Sequence, residues 1–274
     1  MLTYVYYTHT DYEDIIKISL DRIKNYENKV LMINKNNKNL NYLYSMFKQV
    51  VFYDDSLPWV GRCFECITKI NFNSEYALFI NDTDVIIKKD DAFMQKLLET
   101  SIKHKIDKLD LQYQHIRVTK NTSYVDLNYE NRPYKLIKQN HQSPYVYNVN
   151  PSIYKIKSYI EFLKHFKETG YREIEKVSQE YVKEKWNVYK CNGKFLNAGF
   201  MAVMPFFQYL HITRAGKFLP PVNNNIQSPF MIEEWHKIIK NYNLPGKRGW
   251  CWTHRGSAIC NYQSRNADED NLYK

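Results

Sequence analysis

Leu78-Phe79-Ile80-Asn81-Asp82-Thr83-Asp84-Val85-Ile86-Ile87 decides how the rest of the chain is read. Tyr76 to Ile80 is a nearly continuous apolar run, as a strand buried on both faces of a parallel sheet requires. It ends in an acidic D-x-D, and in open α/β sheets ligands bind just beyond the carboxyl ends of the strands. Side chains two apart project to one face of extended chain, so Asp82 and Asp84 are expected to turn toward one hard, oxygen-seeking cation, Mg²⁺ or Mn²⁺. The alternative is a solvated turn, since Asn and Asp are common there. The apolar flanks favour the metal: they press two carboxylates toward the core, where unpaired charge is costly.

Outward from this stretch, the N-terminal part alternates strand and helix. Tyr4 to Tyr7 reads as a strand, and Thr10 with Glu13 forms a capping box before an amphipathic run through Ile16, Leu20 and Ile23. Val30 to Ile33 and Val50 to Tyr53 are further strands, and Pro58 opens a helix with Val60, Cys63, Phe64, Ile67 and Ile70 on its apolar stripe. Another helix begins near Asp90. The fold class is therefore α/β, a Rossmann-like mixed sheet flanked by helices.

Beyond residue 105 the pattern is less regular. Short strands are expected at Lys108 to Gln112, Tyr124 to Leu127, Tyr145 to Val149 and Phe207 to Ile212, with helices through Ile156 to Phe166 and around Trp235. No repeat or low-complexity linker appears. The chain reads as a single domain, 1–274: a ligand-binding half over 1–105, an acceptor and catalytic half over 106–245, and a basic aromatic tail over 246–274.

Composition narrows the classes. Hydrophobic content of 44% and charged content of 25% exclude disordered and collagen-like chains. No window approaches a membrane span, and Met1-Leu2-Thr3-Tyr4-Val5 lacks a signal-peptide pattern, so a cytoplasmic location is expected. The net charge of +10 favours polyanionic partners such as nucleotide phosphates. Five cysteines at irregular spacing make no disulfide framework, and Cys63-x-x-Cys66 falls within a helical pattern, so packing outweighs a zinc site with Cys251, His254 or Cys260.

The polar loop Thr8-His9-Thr10-Asp11-Tyr12 after the first strand, and the apolar strand entering Asn81-Asp82-Thr83-Asp84, together resemble the GT-A glycosyltransferases. Tyr145-Val146-Tyr147-Asn148-Val149-Asn150-Pro151-Ser152-Ile153-Tyr154, Tyr171-Arg172-Glu173-Ile174-Glu175 and Leu210-His211-Ile212-Thr213-Arg214-Ala215-Gly216-Lys217-Phe218 are similar to a subgroup of small, stand-alone enzymes found in large DNA viruses and bacterial polysaccharide clusters. The likeness runs over roughly residues 3–220.

The resemblance implies a nucleotide-sugar donor, with UDP the expected nucleotide, and a glycan or small hydroxyl acceptor. It implies Mn²⁺ or Mg²⁺ on Asp82 and Asp84, with His211 completing the metal shell, and nucleoside contacts from Thr8, Thr10 and Asp11. Arg62 stands where a guanidinium can reach a phosphate or fix an aspartate. Asp54 and Asp55 can face the nucleotide or cap the following helix. An inverting transfer also needs a carboxylate base, for which Glu173 and Glu175 are the candidates; alternation puts them on one side if the segment is extended.

Two other classes compete. A metal-dependent nucleotidyl or phosphoryl transferase would use the same aspartates, but no G-x-x-x-x-G-K-[ST] or G-x-G-x-x-G occurs. A nucleic-acid-binding module is suggested by Lys247, Arg248, Arg255 and Arg265 among Trp250, Trp252 and Tyr262, yet no zinc-finger, RRM or helix-turn-helix signature accompanies them. That tail also suits a flap over the donor or acceptor.

Overall fold

The computed structural model describes residues 2–36, 38–111, 121–130, 132–140, 143, 146–192, 206–214, 216–220 and 229–251. Strands β1 (Thr3–Tyr7), β2 (Lys29–Asn34), β3 (Gln49–Tyr53) and β4 (Tyr76–Asn81) are parallel, with β1 between β2 and β4. Every residue of β2 is buried. Strand alternation sorts the side chains onto two faces: Tyr4, Tyr6, Leu31, Ile33, Leu78 and Ile80 enter one core, and Val5, Val30, Met32 and Ala77 enter the other.

Helices α1 (Glu13–Ile23), α2 (Asn41–Tyr44) and α4 (Asp91–Lys103) cover the first face. The second is covered by α3 (Trp59–Ile67), α5 (Ile156–His165), α6 (Tyr171–Val177) and α7 (Gln179–Lys185). The expected α/β class, a mixed sheet flanked by helices, is the one observed.

At Asn81 the chain leaves the sheet. After a turn over Asp82 and Thr83, β5 (Asp84–Lys89) pairs antiparallel with β11 (Phe207–His211) in a separate ribbon. The main sheet meanwhile continues with strands from later in the chain: β6 (Lys108–Asp110), β7 (Tyr124–Tyr129), β8 (Arg132–Lys138), β9 (Ser152–Lys155) and β10 (Val188–Asn192). Its order is β3-β2-β1-β4-β9-β6-β10-β8-β7, so it crosses residue 105 without a break. Strand β9 lies antiparallel between β4 and β6.

A third layer rests on the outer side of α1. Ile15 and Ile18 of that helix meet Val85 of β5, Leu210 of β11, Phe218 of the short ribbon β12 (Thr213–Arg214) and β13 (Lys217–Phe218), and Trp235 and Ile238 of α8 (Pro229–Tyr242). Helix α1 is thus apolar on two sides, which is why Ile15 and Ile18 stand beside the Ile16, Leu20 and Ile23 stripe in its sequence. Among the described residues, no helix is long and apolar enough to cross a membrane.

Three local expectations are corrected. The Thr10–Glu13 capping box does not form: Thr10–Tyr12 is a 3₁₀ turn capped by His9, whose Nδ1 accepts from the Asp11 N–H at 3.1 Å. The expected strand Tyr145 to Val149 is irregular over its described residues, and Ser152–Lys155 supplies the strand instead. Side chains replace a ladder there. Gln179 accepts from Val146 N–H at 2.7 Å and from Tyr147 N–H at 3.1 Å, and donates to the Tyr147 carbonyl at 2.8 Å. The third concerns cysteine. Cys63, Cys66 and Cys191 are free and buried, but Cys251 is disulfide-bonded, because pairing depends on proximity in the fold and not on spacing in the sequence. Burial raises both thiols of the C-x-x-C, that of Cys66 to about 12, so they behave as core groups.

Helix α3 packs on α5, and Gly61 lies against the turn that follows α5, where an added Cβ would lie 2.8 Å from the Lys167 carbonyl oxygen. Gly61→Ala is therefore expected to lose about 1–3 kcal/mol of stability through overpacking. The check is the urea midpoint at unchanged m-value; an unaltered midpoint would mean that the two helices part freely.

Candidate active site

The C-terminal ends of β1 to β4 open on one edge of the sheet, and the polar residues there form a connected group. Asp82 follows β4 and is only 9% exposed, with Asp84 at 3%. The Asp82 N–H donates to the Tyr7 carbonyl at 2.9 Å, which ties the turn to β1. Its carboxylate accepts from Thr8 Oγ1 at 3.0 Å. Burial raises the Asp82 pKa from its ordinary 3.8 to about 6; the neighbouring Asp84 adds to this, while the Thr8 hydroxyl and the backbone N–H groups of Thr83 and His9 oppose it. Asp84 stands directly across from His211 in the β5–β11 ribbon, and His211 Nδ1 lies 3.0 Å from Asp84 Oδ1.

The donor set of two carboxylates and an imidazole suits Mn²⁺ or Mg²⁺. Among the described residues no group of three or more His, Cys, Asp or Glu side chains is gathered so as to hold an ion alone. Substrate phosphates and water would have to supply the remaining positions of such an ion.

The loop after β1 is more internally bonded than its sequence suggests. Thr8 is buried and turned to Asp82, and Thr10 is buried with its N–H on Asn34 Oδ1 at 2.8 Å. Asp11 is exposed, within 3.5 Å of Lys38. Two residues not singled out by the sequence reading, His9 and Asn34, join Asp55 here: His9 Nε2 is 3.1 Å and Asn34 Nδ2 2.8 Å from Asp55 Oδ2. Asn34 ends a buried strand on the ligand edge, and that position was the available signal.

Arg62 fixes Asp55, not Asp82 or Asp84. Its Nε donates to the Leu57 carbonyl at 2.7 Å, a terminal nitrogen donates to the Asp55 carbonyl at 2.5 Å, and the other lies 3.4 Å from the Asp55 carboxylate. Asp54 accepts from Ser56 N–H in the same loop.

Tyr171-Arg172-Glu173-Ile174-Glu175 is helical, not extended. Two residues on a helix are about 200° apart, so Glu173 and Glu175 take different sides. Glu173 is exposed, whereas Glu175 is half-buried and its Oε1 accepts from Val149 N–H at 2.8 Å. The Val149 carbonyl in turn accepts from Asn81 Nδ2 at 2.8 Å, next to Asp82. Glu175 is thereby linked to the aspartate turn, and Glu173 is not.

A buried charged cluster lies on the neighbouring strands. Lys108 of β6 and Lys190 of β10 each place Nζ 3.7 Å from Asp110 Oδ2, Asn148 Nδ2 donates to the same oxygen at 2.6 Å, and Lys108 donates to Asn148 Oδ1 at 2.9 Å. Burial lowers the Lys108 pKa to about 8; Asp110 and Glu175 oppose this and Lys190 reinforces it. Lys108 to Gln112 read only as a short strand, and the cluster depends on β10 and Asn148 coming beside it.

The described start of the tail is docked. Arg248 forms a bidentate pair with Asp14 at 2.6 and 2.7 Å, stacks on Tyr12 at 4.7 Å and donates to the Gly216 and Asp11 carbonyls. Trp252, Arg255, Tyr262 and Arg265 lie outside the described residues.

No protein-family model matches the chain, and no curated protein matches it. Among solved structures it is similar to a 4-diphosphocytidyl-2C-methyl-D-erythritol synthase from Anaerococcus prevotii DSM 20548, at 12% identity over 75% of this chain and 91% of that one, TM-score 0.44. An apo UDP-glucose pyrophosphorylase matches at 12% over 71% and 92%, TM-score 0.40. The apo-form glycosyltransferase GlyE of Streptococcus pneumoniae TIGR4 matches at 7% over 68% and 44%, TM-score 0.37. Likeness at this level bears on no detail of chemistry.

A carboxylate with a raised pKa weakens the fold when ionised. The Asp82 penalty is absent below the ordinary carboxylate pKa, grows as pH rises toward 6 and is complete above it. Asp82→Asn keeps an acceptor for Thr8 and should stabilise the metal-free protein by about 3 kcal/mol at pH 8, with the gain vanishing near pH 4. Urea unfolding in EDTA across this range measures it; a gain independent of pH would deny that charge burial is its source.

Proposed function

We propose that the protein is a glycosyltransferase that moves a sugar from a nucleotide diphosphate donor, with UDP the expected nucleotide, to a hydroxyl of a glycan or small acceptor. The observation that carries this reading is the buried pair Asp82 and Asp84 at the end of β4, with His211 against Asp84. Asp82, Asp84 and His211 would hold Mn²⁺ or Mg²⁺, which when bound neutralises charge on the departing diphosphate.

The chain's own residues have separate tasks. Thr8 orients Asp82 and His211 orients Asp84. The loop carrying Thr10 and Asp11, with His9, Asn34 and the Arg62-fixed Asp55, offers acceptors and donors to the nucleoside at the ends of β1 to β3. Glu175 takes the proton of the attacking hydroxyl, and the anomeric centre inverts. Asp82 and Asp84 cannot serve as base while binding a cation, and Glu173 is directed elsewhere.

UDP with Mn²⁺, at a hundredfold over Kd, is expected to raise the melting temperature by roughly 5 °C or more. EDTA or Asp84→Ala should abolish the shift while the variant still unfolds cooperatively, and His211→Ala should weaken it more than it weakens folding. A shift indifferent to EDTA and to Asp84 would remove the metal assignment. The same assay with nucleoside triphosphates and sugar phosphates separates glycosyl from nucleotidyl transfer.

Glu175→Gln should lower turnover about 10²-fold or more with donor affinity nearly intact, whereas Glu173→Gln should stay close to wild type. NMR of the product's anomeric configuration accompanies the rates. Retention, or full activity of Glu175→Gln, would exclude Glu175 as the base.

A further inference from the structure

Helix α6 carries a second feature that the reaction chemistry leaves unused. Tyr171, its first residue, is 44% exposed, so its ring is open to a ligand. The ring is held edge-on by Trp59, with centroids 5.2 Å apart and planes at 76°; Trp59 in turn packs against Tyr7 of β1 at 5.7 Å. Trp59 and Tyr7 are themselves only partly buried. The Tyr7 carbonyl accepts from the Asp82 N–H, so the ring series Tyr171, Trp59 and Tyr7 ends at the strand residue bonded to the aspartate turn.

Spacing adds an independent point. Tyr171 and Glu175 are four residues apart on one helix, and such residues lie on the same face. An exposed aromatic ring therefore stands one helical turn from a carboxylate that Val149 holds in place. A sugar ring matches this pattern: its C–H face is apolar enough to lie on an aromatic surface, and its rim of hydroxyls donates to carboxylates.

We propose that Tyr171, braced by Trp59, is the platform on which the ring of an acceptor sugar lies, so that one of its hydroxyls is presented to Glu175. The inference rests on the glycosyl-transfer reading and specifies its acceptor as a carbohydrate. The donor sugar is the less suitable occupant, since it is bonded to the diphosphate over the buried aspartates, whereas the Tyr171 ring is open to a ligand arriving from solvent.

The test uses the full chain with a panel of methyl glycosides of glucose, galactose, N-acetylglucosamine and rhamnose, followed by saturation-transfer NMR with and without UDP and Mn²⁺. Titration of the UDP–Mn²⁺ complex runs in parallel. At least one glycoside is expected to bind wild type in the presence of UDP–Mn²⁺. Tyr171→Ala should weaken it roughly tenfold and Tyr171→Phe, which keeps the ring, by less than about threefold. UDP–Mn²⁺ affinity should be unchanged in both, and circular dichroism checks that this exposed position leaves the fold intact. Equal glycoside binding by wild type and Tyr171→Ala, or no glycoside bound by wild type, overturns the platform while UDP–Mn²⁺ binding leaves the transferase reading in place. Loss of UDP–Mn²⁺ affinity without loss of glycoside affinity in Tyr171→Ala also overturns it, by assigning the ring to the donor side. Failure of UDP–Mn²⁺ to bind wild type strikes the transferase reading itself, and is scored separately from the glycoside arm.

Discussion

Two carboxylates buried within three residues of each other are the constraint around which this molecule is arranged. Asp82 and Asp84 cannot avoid the interior, because the strand before them and the strand after them are both committed to cores: Leu78 and Ile80 to one face of the main sheet, Val85 to the layer outside α1. Carboxylates placed so repel each other and lack water. The fold answers with a hydroxyl on one and an imidazole on the other, and burial still raises Asp82 to about 6. That uncompensated burial is the observation on which the proposal of a cation at this edge rests.

The departure of the chain from the sheet at Asn81 has further effects. Since β5 pairs with β11 and not with β4, a histidine from residue 211 comes to face Asp84, and α8 gains a surface to cover. The vacated place beside β4 is taken by the antiparallel β9, which brings the 146–150 segment under the aspartate turn. Gln179, Glu175 and Asn81 then bond its backbone groups one by one. Glu175 is thus a tie for the loop, and its position follows from satisfying the Val149 N–H.

Much of the first half was legible in the sequence because its signals are local and agree with one another. Continuous apolar runs at Val30 to Ile33 and Tyr76 to Ile80 gave buried parallel strands, Pro58 opened α3 and Asp90 capped α4. Legibility fell where tertiary partners replaced local chemistry. Tyr145 to Val149 has strand-like composition, but Gln179, more than thirty positions away, satisfies its backbone. His9 displaced Thr10 as the cap because Asn34 took the Thr10 N–H. At the site, Asp82, Asp84 and His211 could be named from strand ends and resemblance, whereas His9, Asn34 and the Lys108–Asp110–Lys190 cluster depend on which strands become neighbours. The relation of Glu173 to Glu175 turned on helix against strand, which a short polar stretch does not settle.

The bond between Arg248 and Asp14 joins residues 234 positions apart and holds the segment around Arg248 against the start of α1. Contacts of such separation form only after most of the intervening chain has been ordered, because the loop-closure entropy must be met first. Strand β1 needs β4 beside it, β4 needs β9, and the ribbon that brings His211 to Asp84 closes later still in the sequence. During synthesis, then, a nascent chain that has emerged as far as β4 has the aspartate turn but neither its histidine nor its cover. The environment of Asp84 is in this way assembled later than that of Asp82, and fragments truncated before residue 211 lack the imidazole that faces Asp84.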